Sequence, residues 1–379
     1  MIKKILFLIL IIGVVYYAAN YFSVKPSYHS EELKFIDLPE GFKITTFADE
    51  LGGTTISRPG PNPGPRLMLS KRNAVFVTIP SQGKVVALED NNNDGKAETK
   101  KVFIENLNNP HGIDFYEGYY YIAEEDKVVR VKDDNNDNIA DTETLQKLLD
   151  LPKGGHWTRT LKIINKKLYV SIGSDCNVCE ETDKRRSTIE QCELDGSNCK
   201  TYSSGLRNTV GFVENKGKII GVDNGRDGLG DDYPPEEINI IEENKNYGWP
   251  NCYGKQIHDT EYDKKTYVRN PCLDTESSFI DLQSHSAPLG LAVYNGNKFP
   301  EEYKGKIFIA YHGSWNSEKP TGYKVVTADL ETNEVKDFAT GWISSLVVKG
   351  RPVDIINYKE GLLISDDNAG KIYQVSYEK

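Results

Sequence analysis

Gly83-Lys-Val-Val-Ala-Leu-Glu-Asp90-Asn-Asn-Asn-Asp94 recurs 43 residues later as Asp126-Lys-Val-Val-Arg-Val-Lys-Asp133-Asp-Asn-Asn-Asp137. Each copy is an apolar strand that runs into a polar turn and then a further strand. Strands repeating at a period of roughly 40 to 50 residues mean propeller blades. Working outward, the second copy is preceded by the turn and strand Asn109-Pro-His-Gly-Ile-Asp-Phe115 and by Tyr119-Tyr-Tyr-Ile-Ala123. The same opening phrase occurs at Pro65–Leu69, Pro110–Asp114, Gly155–Arg159, Leu206–Val210, Ala287–Leu291 and Gly350–Asp354. The expected fold is therefore all-β, a six-bladed β-propeller over residues 41–379.

A propeller must hide its sheet edges and close its ring, so a strand from one terminus commonly completes the blade built by the other. Gly41–Phe47 is the expected closure strand beside Lys371–Val375, which leaves residues 23–40 as a linker. No long amphipathic helix and no phosphate-cradling glycine loop stands elsewhere in the chain.

The 379 residues include 22 Tyr against 2 Met, a balance that suits a core of strands. A formal charge of -10 without a basic run excludes a nucleic-acid partner. Met1-Ile-Lys-Lys4 followed by the apolar stretch Ile5–Ala19 reads as an export signal. Tyr16-Tyr-Ala-Ala19 is a poor small-x-small cleavage site, so residues 1–22 are a signal peptide or, favoured, an uncleaved membrane anchor. The two leading lysines put the N-terminus inside and the domain outside the cytoplasm.

Six cysteines in an exported chain read as disulfides. Spacing pairs Cys192 with Cys199 and Cys252 with Cys272, and leaves Cys176-Asn-Val-Cys179 as the least determined, since a CxxC also serves redox or zinc chemistry. Glu180 follows Cys179, so there is no haem-attachment Cys-x-x-Cys-His and electrons would leave to a separate partner.

The six opening phrases should converge at one mouth of the channel. They bring His111, His156, Arg159, Arg207, Asn208, His285 and Arg351 there, with His312, Trp315 and Asn316 on a later loop. Arginines around one mouth of an acidic protein fit a polyanionic small ligand held through guanidinium forks; on charge alone, pairing with Asp or Glu between blades is the favoured explanation. Asp90, Asn92 and Asp94, and likewise Asp133, Asn135 and Asp137, have the oxygen-ligand spacing of half a calcium loop. Lys101 and Thr144 stand where the twelfth-position Glu would be, and plain Asn/Asp turns explain both loops as well.

Gly154-Gly-His156-Trp-Thr-Arg159, Leu168–Ser174, Ser204-Gly-Leu-Arg207-Asn208, Glu237-Ile-Asn239, Asn246-Tyr-Gly-Trp-Pro250 and Gly350-Arg351-Pro-Val-Asp354 occur in one order. In that order they resemble the glucose/sorbosone dehydrogenase family, which uses pyrroloquinoline quinone (PQQ). Cys176–Cys179, Ala287-Pro-Leu-Gly290 and His312-Gly-Ser-Trp-Asn316 resemble its sorbosone branch. The resemblance implies oxidation of an aldose or sorbosone-like sugar with hydride passing to PQQ. It makes His156 the general base, a role that suits an imidazole. It puts Arg207, Asn208, Arg351 and Arg159 at the quinone, with Trp315 stacked on it, and Ca²⁺ near the backbone carbonyls of Gly225 and Arg226. Three departures from the glucose branch stand out: Ser174 replaces the Asp that would orient the base, Arg226 replaces a Pro beside the metal, and the expected Lys near His312 is missing. The competing readings are a lactonase-type propeller hydrolase with a metal at the channel bottom, and a non-catalytic propeller that binds carbohydrate or protein.

Overall fold

The computed structural model describes residues 33–52 and 64–378, so the expected signal or anchor segment lies outside the described residues. Six antiparallel blades follow one another along the chain, each of four strands, with a short parallel fifth strand, Lys245–Asn246, added to the edge of the third. Their innermost strands are Met68–Lys71, Gly112–Tyr116, Arg159–Ile164, Thr209–Asn215, Pro288–Val293 and Pro352–Tyr358, and these define blades one to six. The innermost strands of neighbouring blades pack together all around the ring, which puts the six opening phrases on the channel.

Second strands such as Ala74–Ile79, Ile307–Tyr311 and Gly361–Asp366 are buried along their whole length. A blade is covered on both faces by its neighbours, so these strands read as continuous apolar runs instead of alternating ones. Outermost strands meet water, and Asp141–Asp150 of blade two is mostly polar and exposed. Apolar clusters fill each gap between blades. Phe76 and Phe103 of blade one meet Tyr120 of blade two at centroid distances of 4.8 and 4.6 Å, in the tilted geometry that favours aromatic pairs.

Closure occurs as expected. Phe42–Ala48 pairs antiparallel with Lys371–Tyr377 and supplies the outer strand of blade six. Phe42 is the wedge there, edge-on to Phe299 and Phe338 of blade five at 4.7 and 4.9 Å. The stretch 33–40, read from sequence as linker, is packed: Leu33 and Ile36 are 1% and 0% exposed. Asp37 exchanges two backbone hydrogen bonds with Thr340. Gly341 (φ +109°) makes this possible, since a Cβ there would lie 1.8 Å from the Phe35 carbonyl oxygen.

Carboxylates on the channel strands clamp blade to blade. Asp354 Oδ2 of blade six accepts the Met68 amide of blade one at 2.8 Å, and Asp114 Oδ2 of blade two accepts the Ile163 amide of blade three at 2.8 Å. Val210, Leu289 and Val353 form a small buried cluster from the inner strands of blades four to six. The far end of the channel opens as a cavity of about 380 Å³ whose lining contains neither His nor Arg.

Candidate functional site

The histidines and arginines gather at the opposite end, where the chain enters each inner strand. His156 sits one turn before Arg159–Ile164. Its Nδ1 lies 2.9 Å from both the carbonyl oxygen and Oγ of Ser174. A carbonyl only accepts, so the neutral imidazole carries its proton on Nδ1 and turns the Nε2 lone pair outward. Ser174 Oγ donates its own proton to the Cys176 carbonyl at 2.7 Å, which fixes the hydroxyl as acceptor toward His156. The serine that stands in place of the expected Asp therefore orients the imidazole. Asp175 does not: it points to Arg186 at 3.4 Å. Burial, aided by the Arg207 charge, lowers the His156 pKa to about 4, so the imidazole is neutral at neutral pH. Gly173 lies beneath, where a Cβ would come within 2.5 Å of Asn208 Oδ1 and 2.7 Å of His156 Cβ. Glycine is what lets these two side chains meet.

Arg207 is 5% exposed. Its Nε donates to the Asn177 carbonyl at 2.8 Å, Nη2 to Asn177 Oδ1 at 3.0 Å and Nη1 to the Asn224 carbonyl at 3.1 Å. The Arg207 and Asn208 amides are both held by buried Asp223, at 3.0 and 2.9 Å. Arg351 donates to the carbonyls of His312, Gly313 and Ser314 and to the Tyr323 hydroxyl, with its guanidinium 4.7 Å from the Tyr323 ring centre. Arg159 is fully buried and gives its Nη groups to the carbonyls of His156, Thr158 and Pro152, bracing the loop that carries the base. Among the described residues none of Arg159, Arg207 and Arg351 is in a salt bridge. The inter-blade ion pair of the kind that would have explained these arginines is found instead at Arg66 with Asp367 (2.6 Å), while Arg226 pairs with Asp259 (2.5 Å) between two connections of blade four.

The other candidates divide. His111 is buried below the mouth, with Nδ1 3.2 Å from the Arg159 carbonyl. His312 meets Asp367 at 2.9 Å. His285 turns its Nε2 to the Gly230 carbonyl at 2.8 Å. Trp315 is 80% exposed, and its neighbour Asn316 donates to Asp227 Oδ1 at 2.8 Å. Sequence reasoning missed Asn177 and Asp223, the partners that hold Arg207; Asn177 was hidden inside a CxxC read for its cysteines alone.

For a cation, the Gly225 amide is bonded to Glu236 Oε2 at 2.6 Å, and the Arg226 charge is neutralised by Asp259, so its replacement of Pro adds no free positive charge there. In the two Asp/Asn loops the side-chain oxygens mostly cap backbone amides: Asp90 accepts from Gly95, Asn92 from Asp94, Asp133 from Asn138, Asn135 from Asp137 and Asp137 from Ile139. Lys359 pairs with Asp90 at 2.5 Å and Arg72 with Asp133 at 2.6 Å, so a side-chain cation already stands at the first position of each. Asp90, Asp94 and Glu98 nonetheless bring carboxylate oxygens within 4.8 Å of one another.

All six cysteines are paired: Cys176–Cys179, Cys192–Cys199 and Cys252–Cys272. Among the described residues no helix is long and apolar enough to cross a membrane.

Comparison with known proteins gives several likenesses. The TrAA12-like family matches residues 63–347. An uncharacterized protein of Borreliella burgdorferi is 36% identical over 297 residues, 72% of this chain and 77% of that protein. A pyrroloquinoline quinone-dependent pyranose dehydrogenase of Coprinopsis cinerea is 23% identical, covering 89% of this chain but only 54% of its own length. The holo form of the PQQ domain of Coprinopsis cinerea pyranose dehydrogenase superposes with a TM-score of 0.74 at 20% identity, over 90% of this chain and 97% of that one.

Proposed function

Because this chain belongs to the TrAA12-like family, we propose that it is a PQQ-dependent oxidoreductase acting on a sugar, an aldose or sorbosone-like aldehyde, with His156 as general base. The observation that carries the reading is the set of three arginines, Arg159, Arg207 and Arg351, which among the described residues bond to neutral groups only and form a salt bridge with no carboxylate. Guanidinium groups at a mouth that are ion-paired to no carboxylate among the described residues suit a ligand that brings its own.

The donor set fits the quinone. Each Nη of Arg207 keeps one N–H uncommitted among the described residues, and the Arg351 Nε is likewise free. Gly173 gives His156 and Asn208 the space that a Cβ would otherwise fill. Arg207, Asn208 and Arg351 would hold PQQ, Arg159 would brace His156, and exposed Trp315 would fold over the ring. Ca²⁺ would sit at the carbonyls of Gly225 and Arg226, hard oxygen donors of the kind it takes. When bound, the quinone supplies a two-electron acceptor for the hydride leaving the sugar carbon.

The rest is the chain's own work. His156 Nε2 takes the proton of the hydroxyl on that carbon, and its low basicity keeps it unprotonated and ready. The bond from Nδ1 to Ser174 holds the ring at its angle and supports the positive charge that forms on it. The arginines also place positive potential where negative charge develops. A separate acceptor takes the electrons onward. We place the domain outside the cytoplasm, tethered by its N-terminal segment; three disulfides suit that compartment.

The test is to add PQQ and Ca²⁺ to the purified protein, follow its absorbance, and measure dye reduction with a panel of aldoses beside His156→Ala. PQQ binding by both proteins, with dye reduction at least ~100-fold lower in His156→Ala, is expected for loss of a general base. Failure of the wild type to take up PQQ sinks the reading.

A further inference from the structure

The mechanism leaves the Cys176–Cys179 loop without a task, yet its backbone and one side chain reach both halves of the site. The Cys176 carbonyl takes the Ser174 hydroxyl that meets His156 Nδ1. Asn177 gives Arg207 two acceptors, its carbonyl to Nε and its Oδ1 to Nη2. The same side chain bonds twice to the backbone of Asp227: Oδ1 accepts its amide at 2.8 Å and Nδ2 donates to its carbonyl at 3.0 Å. Asp227 in turn holds Asn316, on the loop of blade five that carries Trp315. One short loop of blade three thus ties together the base, an arginine of blade four and a loop of blade five.

Asn177 is exposed, so core packing does not explain its bonds. The disulfide joins residues only three apart, and closing so small a loop constrains the unfolded chain little compared with a long one. What it does constrain is the direction of the carbonyls at 176 and 177, which are the ones the site uses. Both its cysteines are part-buried, whereas Cys252 and Cys272 are buried.

We propose that the disulfide-closed loop 176–179 is the positioning element of this site, with Asn177 the residue that orients Arg207, and that reducing the disulfide loosens the arginine and the base together. The proposal rests on the reading of Arg207 and His156 as site residues. Reduction breaks the Sγ–Sγ bond: a small dithiol gives two electrons and two protons, leaving two protein thiols and becoming a cyclic disulfide itself.

Two readouts separate the proposal from the reading beneath it. One is the rate at which phenylglyoxal modifies Arg207, followed by peptide mass spectrometry, which needs no cofactor. The other is PQQ affinity by absorbance titration. Asn177→Ala and the double variant Cys176→Ser/Cys179→Ser should each raise the Arg207 labelling rate several-fold and weaken PQQ by about tenfold, as for loss of a hydrogen bond to a charged group. Asn177→Asp keeps the acceptors and should return labelling to the wild-type rate or below it. Should the cysteine variant fail to fold, dithiothreitol treatment of the folded wild type, with alkylation to confirm which thiols are freed, should give the same rise. Unchanged labelling in folded Asn177→Ala and after verified reduction overturns the proposal. Labelling that responds in a protein that takes up no PQQ leaves the positioning role standing and removes the quinone reading instead.

Discussion

At the scale of single residues the site turns on which His156 nitrogen holds the proton. Nδ1 faces an oxygen that has no proton to give, so Nε2 is the basic atom in the neutral ring. Burial sets when that ring is neutral. Its pKa is lowered from 6.5 to about 4, so the unfolded chain binds this proton more readily than the folded one between those values. This group therefore costs no stability above pH 6.5 and increasingly destabilises the fold as the pH falls from 6.5 toward 4. We expect an NMR titration of the apo-protein to place the His156 ring midpoint near 4; a midpoint near 6.5 would mean that the ring is solvated and not buried as described. Much of this was legible. His156, Arg207 and Arg351 were found because they recur at the same point of a repeated phrase. What pairs with them was not. Ser174 read as a lost orienting residue because a sequence shows the side chain and hides where the carbonyl points. Asn177 read as filler between cysteines because its partners lie 30 and 50 residues further on.

At the scale of strands and blades, stability depends on how neighbours are clamped. Asp354 reaches across a blade boundary to the Met68 amide. Asp354→Ala should cost about 1–3 kcal/mol in urea unfolding, the penalty for a buried amide left without an acceptor. A loss within a few tenths of zero would show that the clamp is idle. The blades were legible because strand, turn and strand recur with a period, and the second strands carry unbroken apolar runs. Segments outside that period were less legible. Residues 33–40 looked like linker because they stand before the closure strand and outside every repeated phrase, and what buries Leu33 and Ile36 is Trp342 and its neighbours in the core of blades five and six. The parallel addition of Lys245–Asn246 to the edge of blade three had no signal at all, being two exposed polar residues.

At the scale of the whole molecule, blades three to six each contribute to the candidate site, so a ligand that bridges them should stiffen the ring. A ligand bound only by the folded state stabilises by about 2.7 kcal/mol at 100 times its Kd. PQQ with Ca²⁺ should therefore raise the thermal midpoint in calorimetry, and a chelator should remove most of that gain. A gain untouched by chelation would argue that calcium has no part in holding the cofactor. Closure of the ring has a different reach. Lys43 meets Glu378, 335 residues further on, so the first strand among the described residues is completed by the last. At ~5–20 residues per second, that strand waits on the order of tens of seconds with its hydrogen-bonding edge open. During synthesis, Phe42–Ala48 is thus, among the described strands, the one for which a chaperone has the longest window.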